Sequence, residues 1–227
     1  AARISIQHMT PVIFLSDGYI ANGAEPWKFP KASDIPEIKV SFKTSLNEGE
    51  EKLMPYQRDE KLARPWIIPG VAGLEHRIGG LEKQDITGNV SYDSDNHEHM
   101  VKTRQAKVDK IADYIPLQTI NVGEDEGDLL VLGWGSTSGV IKTVVQQLVK
   151  QGHSVSHCHL RYIKPFPKNL GDLLKRFKKV VIPEINNGQL IKIIRAEYLV
   201  DAIGYNKIKG VPITQDELQN FLLDNLK

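Results

Sequence analysis

The sequence predicts an α/β protein whose second half is a three-layer α/β/α domain around a mostly parallel sheet, preceded by a long irregular segment. Three observations carry this reading. Apolar runs of strand length recur at Leu129–Leu132, Val155–Leu160 and Lys179–Ile182. Stretches with helical periodicity separate them, and strands alternating with helices build parallel sheets covered on both faces. Upstream, Pro26, Pro30, Pro36, Pro55, Pro65 and Pro69 break up the first seventy residues, where proline removes the amide donors that helices and central strands need.

The elements follow in order. Val12-Ile13-Phe14-Leu15 reads as a buried strand closed by Ser16-Asp17-Gly18, and residues 1–30 as the tail of a domain whose body lies upstream. Residues 31–115 read as an extended connecting segment with one helix near 97–112. Its face is Met100, Val101, Val108, Ile111 and Ala112, its N-cap Asp95 or Asn96, and Pro116 ends it. Trp27, Phe29, Trp66, Ile67 and Ile68 are too apolar for a flexible linker, so this stretch is expected to lie against a partner.

Residues 116–227 read as the α/β domain, of ordinary domain size. After the strand Leu129–Leu132 comes Gly133-Trp134-Gly135-Ser136-Thr137-Ser138-Gly139, then a helix with Val140, Ile141, Val144, Val145, Leu148 and Val149 on one face, closing at Gly152. A second helix carries Leu170, Leu173, Leu174 and Phe177, and a third Leu190, Ile191, Ile194, Leu199 and Val200. Pro183 is expected just past the strand Lys179–Ile182, and Tyr205–Val211 as a weaker edge strand. Thr214-Gln215-Asp216-Glu217 is a capping box opening a last helix through Leu218, Phe221, Leu222 and Leu226.

Composition excludes several classes. At 41% hydrophobic and 25% charged residues the chain has globular averages, not those of a disordered or collagenous one. No apolar run approaches the ~20 residues that cross a bilayer, and the start has no basic-then-apolar secretory pattern. The single cysteine, Cys158, precludes an internal disulfide and a Cys-ligated cluster within these residues, and points to a reducing, cytoplasmic compartment. Residues 1–127 hold 15 Lys/Arg against 20 Asp/Glu, a net −5, and residues 128–227 hold 14 against 8, a net +6. The basic half could attract anions or an acidic partner, or be a solvated surface, and it lacks the density of a nucleic-acid footprint.

Candidate chemistry gathers at the rim of the predicted sheet, where ligands of open α/β sheets bind. Gly135 and Ser136 in the glycine loop, with Arg161 after the next strand, could hold an anion at a helix N terminus. The spacing is GxGxxxG, so an NADP-binding module and a tight structural turn both remain open. His157 and His159 share one strand face and His97 and His99 form a second H-x-H. Two ligands do not make a catalytic zinc site, so no metal is assigned and the histidines are read as edge or partner-facing. Cys158, on the opposite strand face, reads as an inert core thiol. In the connecting segment Arg58, Arg64, His76 and Arg77 are substrate- or interface-binding candidates, since arginine forks clamp carboxylates and also enrich interfaces.

These strings also carry a resemblance. Ser16–Gly23 with Glu25-Pro26-Trp27, Ala63-Arg64-Pro65-Trp66, Gly73-Leu74-Glu75-His76-Arg77-Ile78-Gly79-Gly80, Gly88–Tyr92, Asn96–Val101 and Arg104–Lys107 resemble the alpha subunit of 2-oxoglutarate:ferredoxin oxidoreductases. Gly133–Ser136, His159–Tyr162 and Glu184–Leu190 are similar to that subunit's transketolase C-terminal-like domain. The resemblance implies that residues 1–30 end a thiamine-pyrimidine-binding domain. It also implies oxidative decarboxylation of 2-oxoglutarate to succinyl-CoA, or of pyruvate or a branched-chain 2-oxoacid. Thiamine diphosphate and Mg²⁺ would serve the complete enzyme, with an iron–sulfur cluster on a beta subunit. Coenzyme A and ferredoxin would engage the hetero-oligomer, with no nucleic acid or membrane partner. Catalytic residues are expected upstream, leaving this chain an inactive, assembly-building segment that binds no cofactor alone.

Overall fold

The computed structural model describes residues 1–78 and 80–227; Gly79, within the Gly73–Gly80 string, lies outside the described residues. In chain order the elements are α1 (Ala2–His8), α2 (Gly18–Ala21), α3 (Ser94–Lys110), β1 (Ile120–Val122), β2 (Gly127–Trp134), α4 (Ser138–Lys150), β3 (Val155–Leu160), α5 (Leu170–Leu174), β4 (Phe177–Glu184), α6 (Gln189–Tyr198), β5 (Ile203–Asn206) and α7 (Gln215–Leu226). They fall into two compact units: Ala1–Phe14 with Glu25–Tyr114, and Leu15–Ala24 with Ile115–Lys227.

The second unit is built on a five-stranded sheet of order β1-β3-β2-β4-β5. The β3–β2, β2–β4 and β4–β5 pairs are parallel and β1 runs antiparallel to β3. Strand alternation decides the layers. Leu130 and Leu132 point with Cys158, Leu160, Val180 and Ile182 toward α5 and α6. Leu129 and Val131 point with Val155 and Val181 toward α4 and α7. Both faces of the central strands are dry, which explains why β2 reads as a continuous apolar run rather than an alternating one. Gly133 lets α4 approach, because a Cβ there would lie 2.5 Å from Ile141 Cδ1.

The three-layer expectation holds, with local differences. Pro183 lies inside β4, paired with Tyr205 of the edge strand β5. That strand spans Ile203–Asn206 rather than Tyr205–Val211. Helix α6 stops at Tyr198, and Leu199 turns left-handed at φ 53°, 91% exposed. The capping box is present: Glu217 N–H donates to Thr214 Oγ1 at 3.3 Å and Thr214 N–H to Glu217 Oε2 at 2.9 Å. Lys207 then pairs with the same carboxylate at 2.7 Å, tying β5 to α7.

The first unit has little regular structure. Its buried apolar side chains include Leu53, Ala63, Leu74, Met100 and Ile111, and isolated bridges join Phe42 to Trp66, Tyr56 to Ile86 and Lys83 to Val90. Helix α3 starts at Ser94, capped by Asp93 rather than by Asp95 or Asn96. The Asn96 side chain instead receives the Asp85 amide at 2.9 Å and donates to Lys83 O at 2.9 Å. Val101 faces solvent, so the inward stripe is Met100, Thr103, Lys107 and Ile111.

The buried strand expected at Val12–Leu15 does not form. Ile13, Phe14 and Leu15 are 84%, 79% and 63% exposed, and no backbone ladder is made there. An apolar run becomes a strand only where a neighbouring backbone pairs with it, and among the described residues this run has no such neighbour. Helix α1, which carries no apolar periodicity to announce it, precedes them.

Candidate functional site

The carboxyl rim of the sheet is where the chain's own polar groups converge. Strand register places Trp134 beside Leu160, so the loop after β2 and Arg161 after β3 leave the sheet side by side. Gly135 adopts φ +59°, a left-handed conformation that turns the chain into the first turn of α4. Thr137 folds back inside this turn: its hydroxyl donates to Trp134 O at 2.8 Å and receives the Trp134 amide at 3.3 Å. The Ser136 hydroxyl donates to Asp17 Oδ2. Asp17 simultaneously caps α2 by accepting the Tyr19 amide at 2.8 Å. The Ser136 bond first, and the Tyr19 amide second, hold the Asp17 carboxyl below its ordinary pKa. The Ser136 hydroxyl is thus engaged by a carboxylate of the same chain.

The second rim group is Glu184, which opens the string Glu184–Leu190. Glu184, at the end of β4, is fully buried. Its Oε1 accepts the Leu190 amide at 2.9 Å and the Trp134 indole N–H at 3.3 Å, and its Oε2 accepts the Ile191 amide at 3.1 Å. A carboxylate on two orphan amides in the first turn of α6 satisfies donors the helix cannot satisfy itself and complements its dipole. Gly188, at φ +73°, turns the chain so that those amides face inward. The signal available was a strand-terminal Glu followed by a glycine and a helix.

The histidines are not at an edge. His157 lies on interior strand β3, 1% exposed, with neither ring nitrogen hydrogen-bonded among the described residues. Burial, then His159 and Lys142, lower its pKa to about 4. His159 stands with its ring 5.9 Å away, and burial lowers its pKa too. The reading as edge or partner-facing fails for His157 because β1 pairs beyond β3 and α4 covers the face. Cys158 is fully buried and its thiol is pushed up to about 12 by burial. On α3, His97 and His99 are spent on carboxylates, Glu82 at 2.6 Å and Asp85 at 2.9 Å.

In the first unit the structure brings Arg58 and Arg64 together and leaves His76 and Arg77 apart from them. The loop between the two arginines closes on itself: Asp59 N–H donates to Ala63 O at 2.9 Å, and Asp59 Oδ1 accepts the Lys61 and Ala63 amides at 2.9 and 2.8 Å. Both guanidiniums then lie over the Tyr56 ring, 4.6 Å away for Arg64 and 5.5 Å for Arg58. Arg58 also pairs with Asp85. His76 bonds the Leu74 carbonyl at 2.8 Å, and both His76 and Arg77 are exposed.

A mostly parallel sheet clad on both faces by helices makes this unit a three-layer α/β/α domain, with polar contacts gathered at its carboxyl rim. Residues 127–218 match the family described as pyruvate:ferredoxin oxidoreductase core domain II. The chain is 46% identical over 223 residues to 2-oxoglutarate oxidoreductase subunit KorA of Mycobacterium tuberculosis, covering 98% of this chain and 33% of that protein. It is 30% identical over 206 residues to 2-oxoacid:ferredoxin oxidoreductase 1, subunit alpha, of Aeropyrum pernix, covering 87% and 31%. A solved 2-oxoglutarate:ferredoxin oxidoreductase from Magnetococcus marinus, holding 2-oxoglutarate, coenzyme A and succinyl-CoA, superposes with a TM-score of 0.78 at 28% identity, covering 87% of this chain and 34% of that one. Residues 127–218 carry the core domain II of this family, and the chain as a whole is similar to alpha subunits of 2-oxoacid:ferredoxin oxidoreductases. It spans about a third of the length of these relatives. Among the described residues no helix is long and apolar enough to cross a membrane.

Proposed function

We propose that this chain is the assembly-building part of the alpha subunit of a thiamine-diphosphate-dependent 2-oxoglutarate:ferredoxin oxidoreductase acting in the cytoplasm. The enzyme would convert 2-oxoglutarate and coenzyme A to succinyl-CoA and CO₂, passing two electrons to ferredoxin through an iron–sulfur cluster on a beta subunit. The observation that carries the reading is the 46% identity over 98% of the chain to a 2-oxoglutarate oxidoreductase subunit.

The rim chemistry supports a scaffolding rather than a catalytic part. A thiamine diphosphate needs cationic or amide donors and a Mg²⁺ with oxygen ligands. At this rim the glycine loop already faces the Asp17 carboxylate, which would repel a diphosphate. Among the described residues no three His, Cys, Asp or Glu side chains converge as a metal site. The residues present do not fit the cofactor, and in this reading it is held by other parts of the enzyme. Apolar side chains left in solvent, among them Ile13, Phe14, Trp27 and Phe29, support contact with a further subunit or domain.

The test is coenzyme-A-dependent reduction of ferredoxin by the complete complex, with 2-oxoglutarate, pyruvate and 2-oxoisovalerate as separate substrates. Preference for 2-oxoglutarate, with no turnover by the isolated chain, is expected. Preference for another acid overturns the substrate, and turnover by the isolated chain overturns the scaffolding role.

A further inference from the structure

A cleft of about 250 Å³ in the first unit lies beneath the paired arginines. Helix α3 lines it with Met100, Thr103, Arg104 and Lys107, spaced i, i+3, i+4 and i+7 and therefore one stripe of the helix. Arg58, Arg64 and Tyr56 form the facing wall.

The charges do not balance. Five cationic residues and one acid, Glu82, line the cleft. The Glu82 carboxylate is held by Arg104 at 3.1 Å and by His97. Arg58 has Asp85, and Lys83 donates to Leu81 O at 2.6 Å. Arg64 and Lys107 have no carboxylate partner among the described residues: Arg64 lies over the Tyr56 ring and bonds Pro55 O at 3.4 Å, and Lys107 donates to Met9 O at 2.9 Å. Lys107 is half-buried, and burial, then Arg58 and Arg64, lower its pKa. Concentrating like charges in a low-dielectric cleft costs free energy unless an anion is bound.

We propose that Arg64 and Lys107, with Arg58 beside them, bind a doubly charged oxyanion in this cleft. Arginine forks fit two oxygens of a phosphate or carboxylate and lysine adds a point charge. The cleft is smaller than the roughly 300–1,000 Å³ of drug-sized ligand pockets, which suits a phosphate group or a short dicarboxylate rather than a dinucleotide. The site stands independently of the catalytic reading.

Calorimetric titration of the full chain with inorganic phosphate, and separately with 2-oxoglutarate as a dicarboxylate, tests this against sodium chloride at equal ionic strength. Saturable binding of either anion is expected, weakened about tenfold by R64Q or K107M. The tighter-binding anion identifies the source. R64K, which keeps the charge and the fold, should weaken binding about threefold by losing the fork. Heats no different from chloride, or unchanged affinity in R64K and K107M, overturn the site.

Discussion

Ser136 donates its hydroxyl to the carboxylate of Asp17, a residue 119 positions earlier in the chain. The same carboxylate caps α2 through the Tyr19 amide, so one side chain both starts a short helix and fastens it to the rim of the sheet. A four-residue helix is too short to stand alone, so α2 depends on this contact.

Removing the fastening should therefore free α2 selectively. D17A is expected to cost about 1–2 kcal/mol locally, raising amide exchange across Tyr19–Asn22 roughly tenfold while leaving the β2 and β4 amides unchanged. S136A should have a smaller effect, and the double variant less than the sum, because the two residues share one bond. Hydrogen–deuterium exchange by mass spectrometry reads this directly.

Glu184 should matter more for stability. E184A leaves the Leu190 and Ile191 amides and the Trp134 indole without their buried acceptor, a loss of about 3 kcal/mol. E184Q keeps one acceptor oxygen but turns an NH₂ toward the other amide, so about 2 kcal/mol is expected. Urea denaturation followed by far-ultraviolet circular dichroism should rank the variants in that order.

Acid should weaken the second unit through His157. Its folded pKa of about 4 lies below the ordinary 6.5, so as pH falls from 6.5 toward 4 the unfolded chain takes up a proton that the folded chain refuses. Stability is full above 6.5 and declines across that window, by about 3 kcal/mol when complete. His8 and His159 are shifted the same way by burial, whereas Glu82 and Glu217, lowered to about 2, lose their contributions only below 4.5. H157Q should flatten the profile of urea midpoints between pH 4.5 and 6.5.

Cys158 should be silent in the folded protein. A thiol pushed up to about 12 and fully buried has on the order of one thiolate in ten thousand at pH 8. An aromatic disulfide reagent should label it only on unfolding, at the rate of global opening of the sheet. Rapid labelling in native buffer would contradict this environment.

The sheet was legible because its strands and helices announce themselves locally. Four of the six residues read on the α4 face, Ile141, Val144, Val145 and Leu148, are buried, and the α7 capping box forms at the expected residues. The first unit was less legible. Val12–Leu15 has a strand's composition without a strand's neighbour. On α3 the apolar pattern drew attention to Val101, while the inward stripe carries Thr103 and Lys107 among its members, polar residues that a search for hydrophobic periodicity passes over. Arg58 and Arg64 stand out in the sequence as arginines able to clamp a carboxylate, but Lys107, forty-three positions after Arg64, does not.

The sequence by itself determined the alternation of strands and helices, the glycine at the strand-to-helix turn and the resemblance that names the family. Those properties reside in hydrophobic period, cap chemistry and contiguous strings, all local along the chain. Tertiary structure alone decided that Asp17 meets Ser136, that His157 is interior, and that three cations share one cleft. Each of these depends on residues distant in sequence meeting in space, where burial and the proximity of charge, rather than residue type, set what a side chain does.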